Sequence, residues 1–555
     1  MIELSLAELF HAARVSWKSP STQAQHLART ISDVSTDTRE LRPGSLFIGL
    51  PGPRFNGADF ARVALEAGAS AVIVQGDASA PDGELQRELA ALSEEYVAPV
   101  AVCEDARAAL GAAGKLVRRS LTGRTLCITG SCGKTSTKAI VAHMLQGADG
   151  PDVSDATIVS SPKSFNNYIG VPRTLFLCER NTRFAVLEIG TNARGEIADL
   201  AAIARPDVAM ITIIGRAHLE GLGSIEGVAE EKGALLAALD PGRAGSMAVL
   251  NANCAMTPRL RDRVPEGIPT LTFGCGTDGS GSLRPHAERA SVQAEGVRAT
   301  ARGTEFELFI DPALTPGRVV AAQHVVVPLL GDHAASNVVS ALAGVIALGG
   351  DLDRALQSIS SLVAEPHRLQ PTVAGGVLVI DDAYNANPES VGAAVRTLTS
   401  LERTLGPGGG AEGRVAARVL VLGAMGEMGS GALGLHREVG SVVGASGIDR
   451  LVLTGEPSDE EALIAYREGA LGAGMAPEAI RLDLSVAATI SALTCRIAGL
   501  VGGDICLVKA SRAVRLERVA EAVAQHFSQE TRRLRPAMEL PTSRRVQPRR
   551  PEARA

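Results

Sequence analysis

The sequence predicts a three-domain α/β protein: an N-terminal α/β unit, a central unit with a parallel sheet and antiparallel β decoration, and a C-terminal Rossmann-like unit. Three observations carry this. The chain has 555 residues, enough for about three domains of the usual ~100–200 residues each. Short apolar runs alternate with helical patterns in two separate series, one mid-chain and one after residue 370, and strands alternating with helices build parallel sheets. The first run of the middle series passes through a glycine turn directly into a helical pattern, the connection at which parallel sheets present backbone N–H groups.

Residues 1–120 form the first unit. The central unit, 121–365, starts from three strand-like runs, Thr125–Thr129, Phe184–Ile189 and Asp207–Ile213, each followed by a helical pattern. Within it, residues 245–330 carry the alternating segments Phe306–Asp311 and His324–Pro328 and a Gly/Ser-rich stretch at 274–282, which reads as antiparallel decoration. The C-terminal unit, 366–530, holds the runs Gly376–Asp381, Arg418–Gly423, Arg450–Thr454 and Ile505–Lys509. Strands flank Gly406–Gly410 closely, so that run reads as a surface loop. Residues 531–555 hold eight arginines and four prolines and are expected to be a disordered basic tail.

Composition narrows the function. With 45% hydrophobic and 21% charged residues, the chain is an ordinary globular protein. No stretch of 18 apolar residues occurs, and Glu3, Glu8 and His11 interrupt any apolar leader, so a cytoplasmic location without a membrane span is expected. The net charge is −6 although the last 25 residues are basic, so the body is strongly acidic and a general nucleic-acid surface is excluded. The eight cysteines include no CxxC pair, which points to reduced thiols rather than a zinc site or disulfide framework.

The run Thr125–Ser136 is strand, glycine turn, Lys-Thr and then a helix through Leu145. Gly130, Ser131, Cys132 and Gly133 let backbone N–H groups converge on phosphate oxygens, Lys134 adds a point charge, the Thr135 hydroxyl can ligate magnesium, and Ser136 continues into the helix. The loop is two residues shorter than GxxxxGK[ST]. Glu188 ends the second central strand and His218 follows the third, so both belong to the sheet edge that carries the loop, within reach of a metal beside a triphosphate. Taken alone, each has a structural explanation: a capping glutamate, a hydrogen-bonded histidine. Lys232 lies on a predicted helix, where an exposed lysine is the ordinary expectation.

These residues carry a resemblance over nearly the whole chain. Thr129-Gly-Ser-Cys-Gly-Lys-Thr-Ser136, Ser164-Phe-Asn-Asn-Tyr-Ile-Gly-Val-Pro172, Leu187-Glu-Ile-Gly-Thr-Asn192, Arg205-Pro-Asp207, Ala217-His-Leu-Glu-Gly221 and Ile380-Asp-Asp-Ala-Tyr-Asn-Ala-Asn-Pro388 together resemble the Mur ligases. Leu435–Gly440 and Leu507–Arg512, with the Phe-Asn-Asn and Tyr-Asn-Ala-Asn-Pro segments, are similar to the branch adding a D-alanyl-D-alanine dipeptide rather than a single amino acid. Ser35–Arg39, Pro43–Phe47 and Phe55–Phe60 resemble the family's uridine-nucleotide-binding domain.

The resemblance implies an ATP- and Mg2+-dependent ligase acting on UDP-MurNAc-tripeptide and D-alanyl-D-alanine through an acyl phosphate; a monomer is expected, although nothing in the sequence fixes the oligomeric state. It implies roles residue by residue. Lys134 would hold phosphates, Thr135 and Glu188 one magnesium, and His218 would assist a second. Lys232 falls where the family carries a carbamylated lysine. Asn337 matches an adenine contact, Arg368 a phosphate contact and Asp382 a ribose contact. Ser35, Thr36, Arg39, Asn166, Asn167, Lys509, Ser511 and Arg512 match substrate-facing positions. The chain departs from the family pattern at Tyr168, Asp332, Ala334, His367, Ala424 and Ala510, which bears on the adenine and dipeptide contacts and leaves the loop lysine and metal positions intact. A folate polyglutamate or cyanophycin synthetase would share the loop but lack the uridine-type and Tyr-Asn-Ala-Asn-Pro motifs. An inactive nucleotide-binding homologue would lose the metal set, and a transporter ATPase would show other signatures.

Overall fold

The computed structural model describes residues 1–15, 28–76, 84–147, 157–276, 290–300, 303–314, 322–402, 415–495 and 499–534. In the first unit, strands Val34–Ser35, Leu46–Gly49, Ala71–Gln75 and Val100–Cys103 pair in parallel in that order. Helix Ala106–Ser120 follows, started by the Asp105 carboxylate, which accepts from the Arg107 and Ala108 N–H groups. This helix belongs to two units at once. Leu110, Ala113 and Val117 join a core that continues into Val171, Leu187 and Leu200 of the central unit. Gly114 permits the approach, because a Cβ there would stand 3.0 Å from the Pro172 side chain.

Among the described residues the central sheet has nine strands, and the one leading into the glycine turn, Arg124–Thr129, lies between Val208–Ile211 and Thr182–Glu188, parallel to both. Beyond Arg124 and Arg183 near their starts, all three are buried on both faces, as strands covered by helices on each side are. The stretch expected to be antiparallel decoration divides in two. Met247–Asn251 and Thr270–Cys275 extend the parallel sheet, since their buried runs fit a doubly covered strand. Only Val292–Thr300, Gly303–Ile310 and Gln323–Val327 pair antiparallel with one another, the second alternating buried with half-buried residues and the third ending in an exposed-buried alternation.

The C-terminal sheet runs Gln370–Ala374, Val377–Asp382, Ile505–Lys509, Arg418–Leu422, Arg450–Thr454, Ile480–Asp483, antiparallel only at its first pair. Asp382 and Lys509 are register partners at its C-terminal edge. The last helix, Glu517–Leu534, buries Val519, Val523 and Phe527 in the C-terminal core. It runs four residues into the segment expected to be disordered, because no Gly or Pro interrupts the chain before Pro536. Residues 535–555, the run Gly406–Gly410 and residues 277–282 of the Gly/Ser-rich stretch lie outside the described residues.

Candidate active site

A cleft of about 1190 Å³ opens at the C-terminal ends of the central strands, where parallel sheets bind ligands. Its described lining comes from the central and C-terminal units, with Arg107 as the contribution of residues 1–120. At its floor, Gly130 (φ +152°) and Gly133 (φ +82°) take backbone conformations that only glycine adopts readily. A Cβ on Gly130 would lie 2.0 Å from the Thr212 hydroxyl, and one on Gly133 would lie 2.9 Å from Asn337 Oδ1. The loop therefore sits flush against its neighbours, and helix Lys134–Gln146 starts from it with its first N–H groups directed at the cleft.

Lys134 Nζ donates to the Gly130 carbonyl at 2.6 Å, and burial lowers its pKa. The Thr135 hydroxyl accepts from Arg368 at 2.9 Å, and that guanidinium stacks 4.2 Å from the Tyr384 ring centroid. Ser131 is spent on the protein itself, its hydroxyl exchanging hydrogen bonds with Gly215 N–H and C=O at 2.9 and 3.0 Å. Cys132 Sγ meets the Asn387 side chain of the C-terminal unit at 3.3–3.4 Å, and burial raises the thiol pKa.

Glu188 is buried at the end of its strand. One carboxylate oxygen accepts from Asn166 Nδ2 at 2.9 Å, while Oε2 is buried with no hydrogen-bond partner. A buried carboxylate oxygen left bare is costly unless a cation meets it. Together with the Thr135 hydroxyl it makes a hard-oxygen donor pair suited to magnesium, which binds through one or two carboxylates and completes its shell with phosphate and water. No group of three His, Cys, Asp or Glu side chains placed to hold a metal occurs among the described residues. His218 Nδ1 lies 2.6 Å from Glu427 of the C-terminal unit, and His218 holds a left-handed backbone at φ +57°.

Lys232 overturns the ordinary expectation of an exposed lysine. It is 0% exposed on helix Ile225–Ala237, its Nζ has no hydrogen-bond partner, and burial, reinforced by Lys134, brings its pKa well below the usual lysine value.

The family is decided by sequence. Residues 30–117 match "Mur ligase family, catalytic domain", 128–345 "Mur ligase middle domain" and 367–512 "Mur ligase, glutamate ligase domain". The UDP-N-acetylmuramoyl-tripeptide--D-alanyl-D-alanine ligase of Escherichia coli is 33% identical over 430 residues, 77% of this chain and 82% of that one. The chain belongs to the Mur ligase family. The ligase of the same name from Mycobacterium tuberculosis strain H37Rv is 32% identical over 94% of this chain and 98% of its own. Among solved structures, MurF from Acinetobacter baumannii shares the fold at a TM-score of 0.73 and 23% identity, covering 94% of this chain and 99% of that one. MurF ligase from Thermotoga maritima in complex with ADP does so at 0.69 and 24%, covering 90% and 98%.

In this Mur ligase the cleft gathers the phosphate loop, Glu188, His218, Asn166, Asn167, Asn337, Arg368, Asp382 and Lys509. Several are already engaged. Asn167 Oδ1 accepts from the Ile169 and Gly170 N–H groups just ahead of helix Gly170–Leu175, and Lys509, 2% exposed, donates to Asp382 at 2.7 Å and to the Asn385 carbonyl at 2.9 Å. Ser511 and Arg512 stand outside the described lining, Arg512 paired with Glu517 at 3.1 Å. Ser35, Thr36 and Arg39 also lie off the cleft. Arg39 forks onto Asp37, which holds that carboxyl down at about 2.

Sequence reading missed Lys138, whose buried ammonium donates to the Ser161 and Lys163 carbonyls. Its position one helical turn after Lys134 was the available signal. It also missed Arg216, which pairs with Glu389 and Glu438, and Glu427, which pairs with His218, because these contacts cross units and have no local pattern.

Proposed function

We infer that this Mur ligase adds D-alanyl-D-alanine to UDP-N-acetylmuramoyl-tripeptide with ATP, giving the UDP-MurNAc-pentapeptide precursor of peptidoglycan. Relatives bearing that activity in their names match over up to 94% of the chain. The structural observation carrying the reading is the convergence of Lys134, Lys138, Arg368 and Lys509 with the glycine loop in one cleft spanning two units. That cation density suits a reaction in which the γ-phosphoryl group moves to the tripeptide carboxylate, the dipeptide amine attacks the acyl phosphate, and the tetrahedral intermediate expels phosphate.

Within this reading, the loop N–H groups and Lys134 cradle the ATP phosphates, Arg368 steadies them from the C-terminal side, and Asn337 and Asp382 take adenine and ribose. Thr135 and Glu188 hold Mg2+, which neutralises phosphate charge when bound, with His218 supporting a second ion. Burial draws the Lys232 pKa down and so favours the neutral amine, the form that can add carbon dioxide to give a carbamate and a proton, placing an anion where the sequence shows a lysine. Asn166 orients Glu188, and Lys509 with Ser511 and Arg512 serves the peptide side. Ser35, Thr36 and Arg39 receive the uridine end, remote from the reacting carboxylate. We assign residues 1–120 to UDP-substrate binding, 121–365 to ATP and 366–530 to closing the site. A monomer suffices, since one chain supplies the whole described cleft. No helix among the described residues is long and apolar enough to cross a membrane, and a cytoplasmic location, where ATP and UDP-linked precursors are available, completes the reading.

The test is phosphate release from ATP in the presence of UDP-MurNAc-tripeptide, with and without D-alanyl-D-alanine. We expect sustained release only with all three substrates, and a pentapeptide product by mass. Release that follows L-glutamate or another single amino acid instead would assign the chain to a different branch.

A further inference from the structure

We propose that Arg216 is a positioning residue that seats the C-terminal unit on the phosphate loop. It lies in the loop between strand Val208–Ile211 and helix Leu219–Leu222. Its backbone N–H and its Nε both donate to Glu389 Oε1, at 3.0 and 3.2 Å. Its two terminal nitrogens donate one each to the two oxygens of Glu438, at 2.8 and 2.9 Å. Glu389 stands in the first turn of helix Pro388–Ser400 and Glu438 on helix Ala432–Gly444, so one guanidinium grips two helices of the C-terminal unit. Two residues on, His218 meets Glu427 of the same unit.

The other side of this stretch is tied to the nucleotide loop. Ser131 N–H donates to the Ile213 carbonyl at 2.8 Å, and the Ser131 hydroxyl exchanges two hydrogen bonds with Gly215. Gly215 packs closely on the same carboxylate, since a Cβ there would stand 3.0 Å from the Glu389 carboxyl carbon and push it aside. Asn387, which caps the Glu389 helix, contacts Cys132 of the loop. Residues 213–218 thus form a short rigid link whose first half is fixed to the phosphate loop and whose second half is fixed to the unit carrying Asp382 and Lys509.

Arg216, Glu389 and Glu438 side chains are 36%, 30% and 51% exposed, and such pairs add little to global stability. Their fork geometry fixes orientation instead, and a lysine cannot reproduce a fork. The kinetic arm of the test rests on the ligase reading, whereas its scattering arm does not.

The experiment compares Arg216→Ala, Arg216→Lys and Glu438→Gln with the wild type. Arg437→Ala is the control, because its pair with Glu468 lies within the C-terminal unit. Small-angle X-ray scattering is recorded with ADP and Mg2+, alongside kcat and KM for D-alanyl-D-alanine and melting temperatures. We expect Arg216→Ala to melt close to the wild type, to scatter as a more extended particle, and to lose kcat/KM on the order of tenfold. Arg216→Lys should recover only part of both losses, Glu438→Gln should fall between, and the control should match the wild type. Wild-type kinetics and scattering in Arg216→Ala, or full rescue by lysine, would overturn the proposal. If Arg216→Ala fails to fold, unchanged scattering and kinetics in Glu438→Gln overturn it equally. A wild type without ligase turnover would refute the functional reading while the scattering comparison still decides the role of Arg216.

Discussion

Lys134 is half-buried in the cleft and donates to a backbone carbonyl, whereas Lys232 is fully buried with no hydrogen-bond partner, and the two invite opposite substitutions. Lys134 caps no core, so Lys134→Ala should abolish phosphate release while unfolding like the wild type; near-normal turnover would remove it from the site. For Lys232 the fold imposes a depressed pKa. Between that lowered value and the unfolded pKa near ~10.4, the unfolded lysine holds a proton that the folded one lacks, so stability gains as pH rises through this window. Lys232→Met should therefore melt higher than carbon-dioxide-free wild type at neutral pH, with the gap shrinking toward pH ~10. If the carbamate forms and serves the reaction, Lys232→Ala should lose about 10²–10³ in turnover, and a short carboxylic acid in the buffer should restore part of it. A variant running at wild-type rate without added acid would show the lysine to be only a core residue.

At the scale of elements, the helix Ala106–Ser120 shows what the sequence displayed and what it hid. Arg118 is 1% exposed on that helix and pairs with Asp207 at 2.7 Å while also donating to the Ala204 carbonyl. Asp207 in turn accepts from Thr125 N–H at 2.7 Å and pairs with Arg243 at 2.9 Å, locking the starts of two central strands together. The motif Arg205-Pro-Asp207 was legible as a family mark, yet its purpose was not, because the partner lies 89 residues away and no local period records it. Removing one partner of a buried pair is expected to destabilise by about 3–5 kcal/mol, and Arg243 should hold Arg118→Ala to the lower end; urea denaturation checks this, and a loss under about 0.5 kcal/mol would contradict it. The same division runs through the site. Glycine turn, lysine and strand-end acid were visible because their chemistry depends on neighbours in sequence, and their strands matched the expected runs to within a few residues. Burial of Lys232 and the grip of Arg216 depend on how separate elements pack, and Met247–Asn251 was misjudged because a short apolar run fits either sheet geometry.

Across the whole molecule, the two junctions between units differ in kind. The first and central units share a hydrophobic core through helix Ala106–Ser120, whereas the C-terminal unit has cores of its own, with Leu330, among the described residues, as the buried apolar residue that crosses over. Among the described residues its hydrogen bonds and ion pairs to the central unit include Arg216 to Glu389 and Glu438, His218 to Glu427, Cys132 to Asn387, Arg368 to Thr135, Ser164 to Tyr384 and Arg396 to Asp332. A shared core makes unfolding cooperative, while part-exposed polar links couple weakly and are screened by salt. Calorimetry of the free enzyme should therefore show two transitions, one for residues 1–365 together and one for the C-terminal unit. A fragment starting at 366 should reproduce the second. Nucleotide with magnesium binds across the second junction in our reading, so it should raise and merge the two transitions in proportion to its occupancy. A single transition without ligand, with equal calorimetric and van't Hoff enthalpies, would show that the polar junction couples as tightly as the apolar one.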